Sequence, residues 1–308
     1  KKFTPTGQPM VDESILKKVK GIPQAALIAN YLMIQKRVAQ VRSWLKELDE
    51  TTGRVHGYVN PNGAVTGRMT HSHPNMAQIP SSSSPYGKEC RSCWIVPENY
   101  KLVGVDASGL ELRMLAHYLN DEGYTNEILN GDIHTANQKL AGLQSRDQAK
   151  TFIYALLYGA GDAKLGTVAG RGREAGKRLR QSFFDNLPSF KALTGRVQRE
   201  AADGYVKGLD GRKLTVRSAH AALNTLLQGA GAITMKQAMI LLDGKLKHID
   251  AKFVANVHDE WQIECHESVA DQVGKLGVEA IIEAGKLLNL NCPLDGDYNV
   301  GDNWSETH

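Results

Sequence analysis

The stretch RDQAKTFIYALLYGAG places Arg146, Lys150, Tyr154 and Tyr158 at intervals of four, with Gly159 directly after. Residues four apart on an α-helix step by about 40°, so these four side chains span a band of roughly 120°. Ala149, Phe152, Ile153 and Leu156 fall on the other side and can face a core. The band is cationic at one end and aromatic at the other. An Arg and a Lys one turn apart suit a triphosphate, the Arg as a planar fork and the Lys as a point charge. Tyrosines further along can stack on a sugar or a base. Such a face matches a nucleotide from phosphate to base.

Two further places carry acids at the end of a strand-like apolar run. Asp106 follows KLVGV, and Asp259, with Glu260 beside it, follows AKFVANV and His258. If the two strands are neighbours, Asp106 and Asp259 meet at one sheet edge, and close carboxylates repel unless a cation neutralises them. Hard oxygen donors of this kind recruit Mg²⁺. Two such ions about 3.5–4 Å apart stabilise the attacking and leaving oxygens of an in-line phosphoryl displacement. Either acid alone reads as a solvated turn residue; with the nucleotide-matching helix, the catalytic reading is favoured. Glu260 stays open between a metal neighbour and a plain hairpin-tip acid.

The elements that must hold these residues follow from periodicity and turn chemistry. Residues 11–48 are helical in pattern, with Leu27, Ile28, Tyr31, Leu32, Ile34 and Val38 around a polar back. Turn formers make 56–88 mostly loop and short strand. YKLVGVDASGLELRMLAHYL predicts a buried strand at Leu102–Val105, then a helix over about 110–119 with Ser108 as its cap. The pattern from Asp121 to about Ala202 is helical, broken at GAGDAKLGTVAGRGREAG and at Pro188. Asp210-Gly211 between two β-favouring runs predicts a tight hairpin. HAALNTLLQGAGAITMKQAMILLDGKL is a long helix, and AKFVANV-HDE-WQIEC is two strands around a polar tip.

Composition, 42% hydrophobic and 23% charged, is that of ordinary globular material, and no run approaches the roughly 18 apolar residues of a membrane span. The opening KKFTPTGQPM lacks an initiator Met and a secretory leader, which suggests a piece of something longer. Net charge is +4, yet residues 164–217 hold thirteen Lys and Arg against five Asp and Glu. That block fits a polyanion such as nucleic acid, or a solvated helical surface. Of the four cysteines, Cys90 and Cys93 form a CxxC with no second pair or His pair at ligand spacing, which predicts reduced thiols in a cytoplasmic setting.

DASGLELR, RDQAKTFIYALLYG and VHDE, in that order, resemble motifs A, B and C of family A DNA polymerases, the class of bacterial DNA polymerase I. TGRMTHSHPNMAQIP is similar to a further motif upstream, and HAALNTLLQ to the family's minor-groove segment. NPNGAVTGR, EILNGDIHT, KGLDGRK and the tail NWSETH are most similar to replicative polymerases of T-odd podoviruses. The likeness runs from about residue 27 to the end.

The resemblance implies a template-directed DNA polymerase that adds dNMPs to a primer 3′-OH, with primer-template DNA and dNTPs as partners. Asp106 and Asp259 would hold two Mg²⁺ ions, assisted by the carbonyl of Ala107. Glu111 would sit beneath the sugar as the barrier to a 2′-hydroxyl. Arg146 and Lys150 would grip the triphosphate, and His134 would reach its β-phosphate. Tyr154 would pack on the deoxyribose; Tyr158 and Gly159 would border the template base. Arg68, Asn224, Gln228 and His258 would contact the minor groove, where donors test pair shape without reading sequence. Gln78 would lie along the template or primer backbone. Lys150 could also protonate the leaving pyrophosphate.

The implied fold is an α+β right hand: a thumb remnant at 1–50, an antiparallel-sheet palm at 51–118 and 220–308, and helical fingers at 119–219. A processivity factor, in podoviral relatives, binds a thumb segment absent from this chain. The expected setting is the cytoplasm of a bacterial host, with no membrane partner. A metal-dependent nuclease shares the acids but has no use for the Arg146–Tyr158 band, and a DNA-binding fragment without turnover is the other rival. An RNA polymerase shares the palm plan, but Glu111 argues against ribonucleotides.

Overall fold

A computed structural model describes residues 3–19 and 21–308; Lys1, Lys2 and Lys20, the last within the predicted helical stretch, lie outside the described residues. The chain divides into two compact units. One takes the chain as far as Val59 and returns for His71–Cys93; the other comprises Asn60–Thr70 and Trp94–His308.

In the first unit, a short helix Glu13–Leu16, capped by Asp12, precedes the long helix Pro23–Lys46. The break falls where expected of proline: Pro23 fits the first turn, where no N–H is needed, and disfavours helical geometry at Ile22. The predicted apolar stripe is used only in part. Ala25, Ala29 and Trp44 are buried, whereas Leu27, Ile28 and Tyr31 are 70, 46 and 60% exposed. Ile34 and Val38 line an apolar cavity with Val41, Tyr86 and Cys90. All four cysteines are free.

The second unit is built on a four-stranded antiparallel sheet in the order Gly296–Gly301, Tyr100–Ala107, Glu260–His266, Ala251–Val257. The strand predicted over Leu102–Val105 extends to Tyr100 and Ala107, and its middle is buried without alternation because both faces are covered. On one face lies the helix Ala270–Leu287, where Gly277 admits Val105: an added Cβ would come 2.8 Å from Val105 Cγ2. On the other face runs the segment 303–308. A Cβ on Gly104 would stand 2.2 Å from the Thr307 carbonyl oxygen, and the Thr307 hydroxyl donates to Gln262 Oε1 at 2.7 Å. Side chains alternate along a strand, so Gly104 and Asp106 share that face.

The strand passes into the helix Leu110–Leu119 through Gly109, which holds a left-handed conformation at φ 57°. Glycine at this turn replaces the predicted Ser108 cap; the Ser108 hydroxyl instead donates to Asp297 Oδ2 at 2.9 Å. Helices Glu122–Leu129, Ile133–Ala141, Arg146–Leu157, Arg173–Asn186 and Pro188–Ala201 follow the predicted pattern, with Pro188 opening the last. The glycine-rich stretch read as a break contains a helix of its own, Asp162–Val168, because Gly166 and Gly176 permit close backbone packing. Phe152, Phe183, Phe184 and Phe190 join these helices through edge-to-face contacts at 5.2–5.8 Å. The predicted hairpin pairs Tyr205–Lys207 with Lys213–Thr215, and the long helix Ala222–Leu246 follows. Among the described residues no helix is long and apolar enough to cross a membrane.

Replacing Gly104 by Ala should push the 303–308 segment off the sheet. Such overpacking costs about 1–3 kcal/mol, read as a lowered midpoint in urea unfolding; an unchanged midpoint would show that this segment is not packed as described.

Candidate active site

Asp106 closes its strand in the register Asp106↔Glu260 on one side and Asp106↔Asp297 on the other. The next residue, Ala107, donates its N–H to the Asp259 carbonyl at 3.0 Å. Two aspartates far apart in sequence are thereby brought to one sheet edge, as the strand-end pattern required. Asp259 sits in a two-residue tip behind His258, which adopts φ 62°.

The charges at this edge are unevenly compensated. Asp106 is open to solvent on one side, but partial burial, then the negative charges of Asp259, Glu260 and Asp297, push its carboxyl up to about 7. Glu260 behaves oppositely. Burial alone would raise it, yet bonds from His308, Trp304 and Gln262 outweigh burial and hold it below the usual carboxylate range. Its Oε1 accepts from Gln262 Nε2 and Trp304 Nε1, each at 2.6 Å, and its Oε2 meets His308 Nδ1 at 2.6 Å. Between the two alternatives for Glu260, these bonds describe an acid anchored from within the protein.

The helix Arg146–Leu157 places its faces as read. Ala149, Phe152, Ile153 and Leu156 are buried, while Arg146, Lys150 and Tyr158 are exposed and Tyr154 is half-buried. Tyr154 is raised by burial and then by the charges of Glu111 and Asp259, so this band lies within electrostatic range of the acidic edge. Tyr158 donates to Glu111 Oε2 at 3.1 Å. Arg68 is half-buried, and its charge lowers both Glu111 and Tyr158 against larger opposing effects. His134 is lowered by burial and then by Arg146 and Lys150, and its ring lies 6.4 Å from that of Tyr154. Gly159, at φ 72°, passes so close to His220 that a Cβ would stand 2.1 Å from its carbonyl oxygen. Backbone approach therefore requires glycine there.

Asn224 and Gln228 stand one turn apart on the helix Ala222–Leu246, both half-buried. Glu111 Oε1, His134 Nδ1 and Asn224 Oδ1 are buried and lack a hydrogen-bond partner. Orphaned polar atoms are rare inside proteins, and three on candidate ligand-facing residues fit a site built to receive polar groups. Gln78 ends a short 3₁₀ turn, Met76–Gln78, in the other unit, where its carbonyl accepts from Gln40 Nε2 at 3.0 Å.

Sequence reasoning missed Asp297, Gln262, Trp304, His308 and Asp132. Gln262 was signalled by the period of two in EWQIEC, which puts it on the face of Glu260. Asp132 carried a helix-cap signal two residues ahead of His134. The fit to Mg²⁺ is that of a carboxylate pair. Among the described residues no group of three or more His, Cys, Asp or Glu side chains is arranged to hold a metal. Mg²⁺ is commonly held by one or two carboxylates, with phosphate oxygens and water completing the shell, so Asp106 and Asp259 suffice as protein donors.

The folded Asp106 carboxyl keeps a proton up to about pH 7, whereas the unfolded chain releases it near its ordinary value of 3.8. Stability therefore falls as pH rises between those values. Asp106→Asn should melt a few degrees above the parent at pH 8 and with it below pH 3, in metal-free differential scanning calorimetry. Equal melting temperatures at pH 8 would exclude the charge strain.

Comparison with known proteins agrees with this geometry. The family model described as DNA polymerase family A matches residues 1–306. The DNA-directed DNA polymerases of Enterobacteria phage T3 and Escherichia phage T7 are each 45% identical to the chain, covering all of it and 50% of their own length. The chain thus spans about half the length of these curated relatives. Among solved structures, the POL domain of Pol1 from M. smegmatis, in complex with DNA primer-template and dNTP, superposes with a TM-score of 0.86 at 26% identity, covering 99% of this chain and 58% of that one. By the extent of these matches, the chain belongs to DNA polymerase family A.

Proposed function

We propose that this chain carries the polymerising centre of a template-directed DNA polymerase, adding dNMPs to a primer 3′-OH during phage DNA replication in a bacterial cytoplasm. The observation that carries the reading is the pairing of Asp106 with Asp259 across the Ala107–Asp259 backbone bond, within charge range of Tyr154 on the Arg146–Leu157 helix. Primer-template DNA and dNTP, named with the M. smegmatis Pol1 structure, are taken as the partners. The reading assigns 51–118 and 220–308 to a palm, 119–219 to fingers and 1–50 to the end of a thumb.

Asp106 and Asp259, with the Ala107 carbonyl, would hold two Mg²⁺ ions. When bound, these ions supply charge neutralisation at the attacking and leaving oxygens. Every other role falls to side chains of this chain. Arg146 and Lys150 bind and orient the triphosphate, with His134 offering a further donor to its phosphates. Lys150 also delivers a proton to the departing pyrophosphate oxygen. Glu111, fixed by the Tyr158 hydroxyl, occupies the space a ribose 2′-hydroxyl needs, while Tyr154 packs on the deoxyribose. Tyr158 and Gly159 border the template base. Arg68, Asn224, Gln228 and His258 donate to the minor-groove acceptors present in every correct pair, and Gln78 follows the strand backbone.

Extension of a labelled primer-template with Mg²⁺ tests the reading. The chain should lengthen the primer to full length only when all four dNTPs are present, stop before the first missing complement otherwise, and use rNTPs poorly. Asp106→Asn or Asp259→Asn should each reduce the rate about a thousandfold, the loss expected when several kcal/mol of charge stabilisation disappear. Shortening of the primer without extension would favour a nuclease instead. Lys150→Leu should lower turnover at saturating dNTP about a hundredfold or more, and unchanged turnover would remove Lys150 from the proton-transfer role.

A further inference from the structure

Asp132 has no part in the roles above, yet it ties together the side chains assigned to the phosphates. Its Oδ1 accepts the His134 N–H at 3.0 Å, and its Oδ2 accepts both the Thr135 hydroxyl at 2.9 Å and Arg146 Nε at 2.6 Å. It caps the helix Ile133–Ala141, whose first turn carries His134, while Arg146 opens the helix that also carries Lys150. One carboxylate thus spans two helices at the ends from which the phosphate-facing groups project.

The choice of atom matters. A guanidinium has five N–H donors in a fixed fork. A carboxylate on Nε pins the plane of that fork and leaves both terminal amines to meet a phosphate side by side. The pair is too exposed to serve stability, with side chains 52 and 40% exposed, and surface ion pairs of this kind contribute little. Its consequence is orientation. An unrestrained arginine at the start of a helix samples many rotamers and loses that freedom on binding, whereas one held at Nε has lost part of it beforehand.

We propose that Asp132 is a positioning residue for the triphosphate, aiming the terminal amines of Arg146 and the first turn that bears His134 before nucleotide arrives. This inference rests on the reading of the Arg146–Lys150 face as the triphosphate grip. Asp132→Ser separates its two duties, since serine is a good helix cap but too short to reach Arg146. Asp132→Asn also keeps the cap oxygen, but it turns an amide donor toward Nε where Oδ2 had accepted.

Binding of inorganic tripolyphosphate to the chain, followed by isothermal titration calorimetry, reads the grip without requiring polymerisation. Asp132→Ser should weaken binding about fivefold to tenfold, the cost of ordering one rotamer-rich side chain, and Asp132→Asn, which keeps the cap but not the acceptor for Nε, should weaken it at least as much. In an Arg146→Ala background, Asp132→Ser should cause no further loss. In primer extension, Asp132→Ser should raise KM for dNTP in the same proportion and leave kcat nearly unchanged. Parent-like binding by Asp132→Ser, or an equal loss with and without Arg146, overturns the inference. A parent chain that fails to bind tripolyphosphate at all overturns instead the triphosphate reading beneath it.

Discussion

Crowded like charge at one sheet edge is the constraint on which the second unit depends. Asp106 has an acid opposite it on each neighbouring strand, and a third, Asp259, is tied to the residue after it. The protein answers these charges unequally: Trp304, Gln262 and His308 surround Glu260, and the Ser108 hydroxyl donates to Asp297. Removing the donors around Glu260 would leave a buried carboxylate unpaired, which is costly. Among the described residues Asp106 has no comparable set of donors, and it is driven toward its neutral form instead. The compensated acid is held by the protein's own donors, and Asp106 with Asp259 is the pair to which the proposed function assigns the metal ions.

The same residues explain why the sheet is packed so closely on both sides. For the segment 303–308 to reach Glu260 it must cross Gly104, where any side chain would collide with Thr307. For the opposite face to stay rigid, the helix Ala270–Leu287 must approach Val105 through Gly277. Small residues at these contacts let large ones, Trp261 and Trp304 among them, fill the core completely. Packing therefore fixes the strand on which Asp106 sits, and the position of Asp106 relative to Asp259 is set by backbone hydrogen bonds more than by loops.

Much of this was legible in the residues because it is local. An apolar run ending in an acid marks a strand delivering a carboxylate to an edge, and period-four spacing marks the two faces of the Arg146–Leu157 helix. Both signals live within a few residues and survived folding. Signals that failed did so for physical reasons. Ser108 lost the cap to Gly109 because a left-handed turn outranked a side-chain hydrogen bond at that strand-to-helix junction. The apolar side read at Leu27, Ile28 and Tyr31 is exposed: periodicity tells which residues share a side and not whether anything covers it. Two of the donors around Glu260, Trp304 and His308, were invisible because they lie more than forty residues away along the chain. Asp132 could be read as a cap, but its reach to Arg146 depends on how two helices pack.

The two charged halves of the site make sense only as a pair. An acidic edge alone repels phosphate, and a face of Arg146 and Lys150 alone repels divalent cations. On the proposed reading, a triphosphate without metal would bind through the helix alone, and a metal without phosphate would be drawn to the aspartates with an incomplete oxygen shell. A metal-bound triphosphate carries both complements in one ligand, positive toward the sheet and negative toward the helix. Glu111, close enough for its charge to raise Tyr154, would with Tyr154 meet the sugar between these halves on the proposed reading. On the proposed reading, selectivity for that composite ligand follows from the separation of charge itself, before any contact to base or template is made.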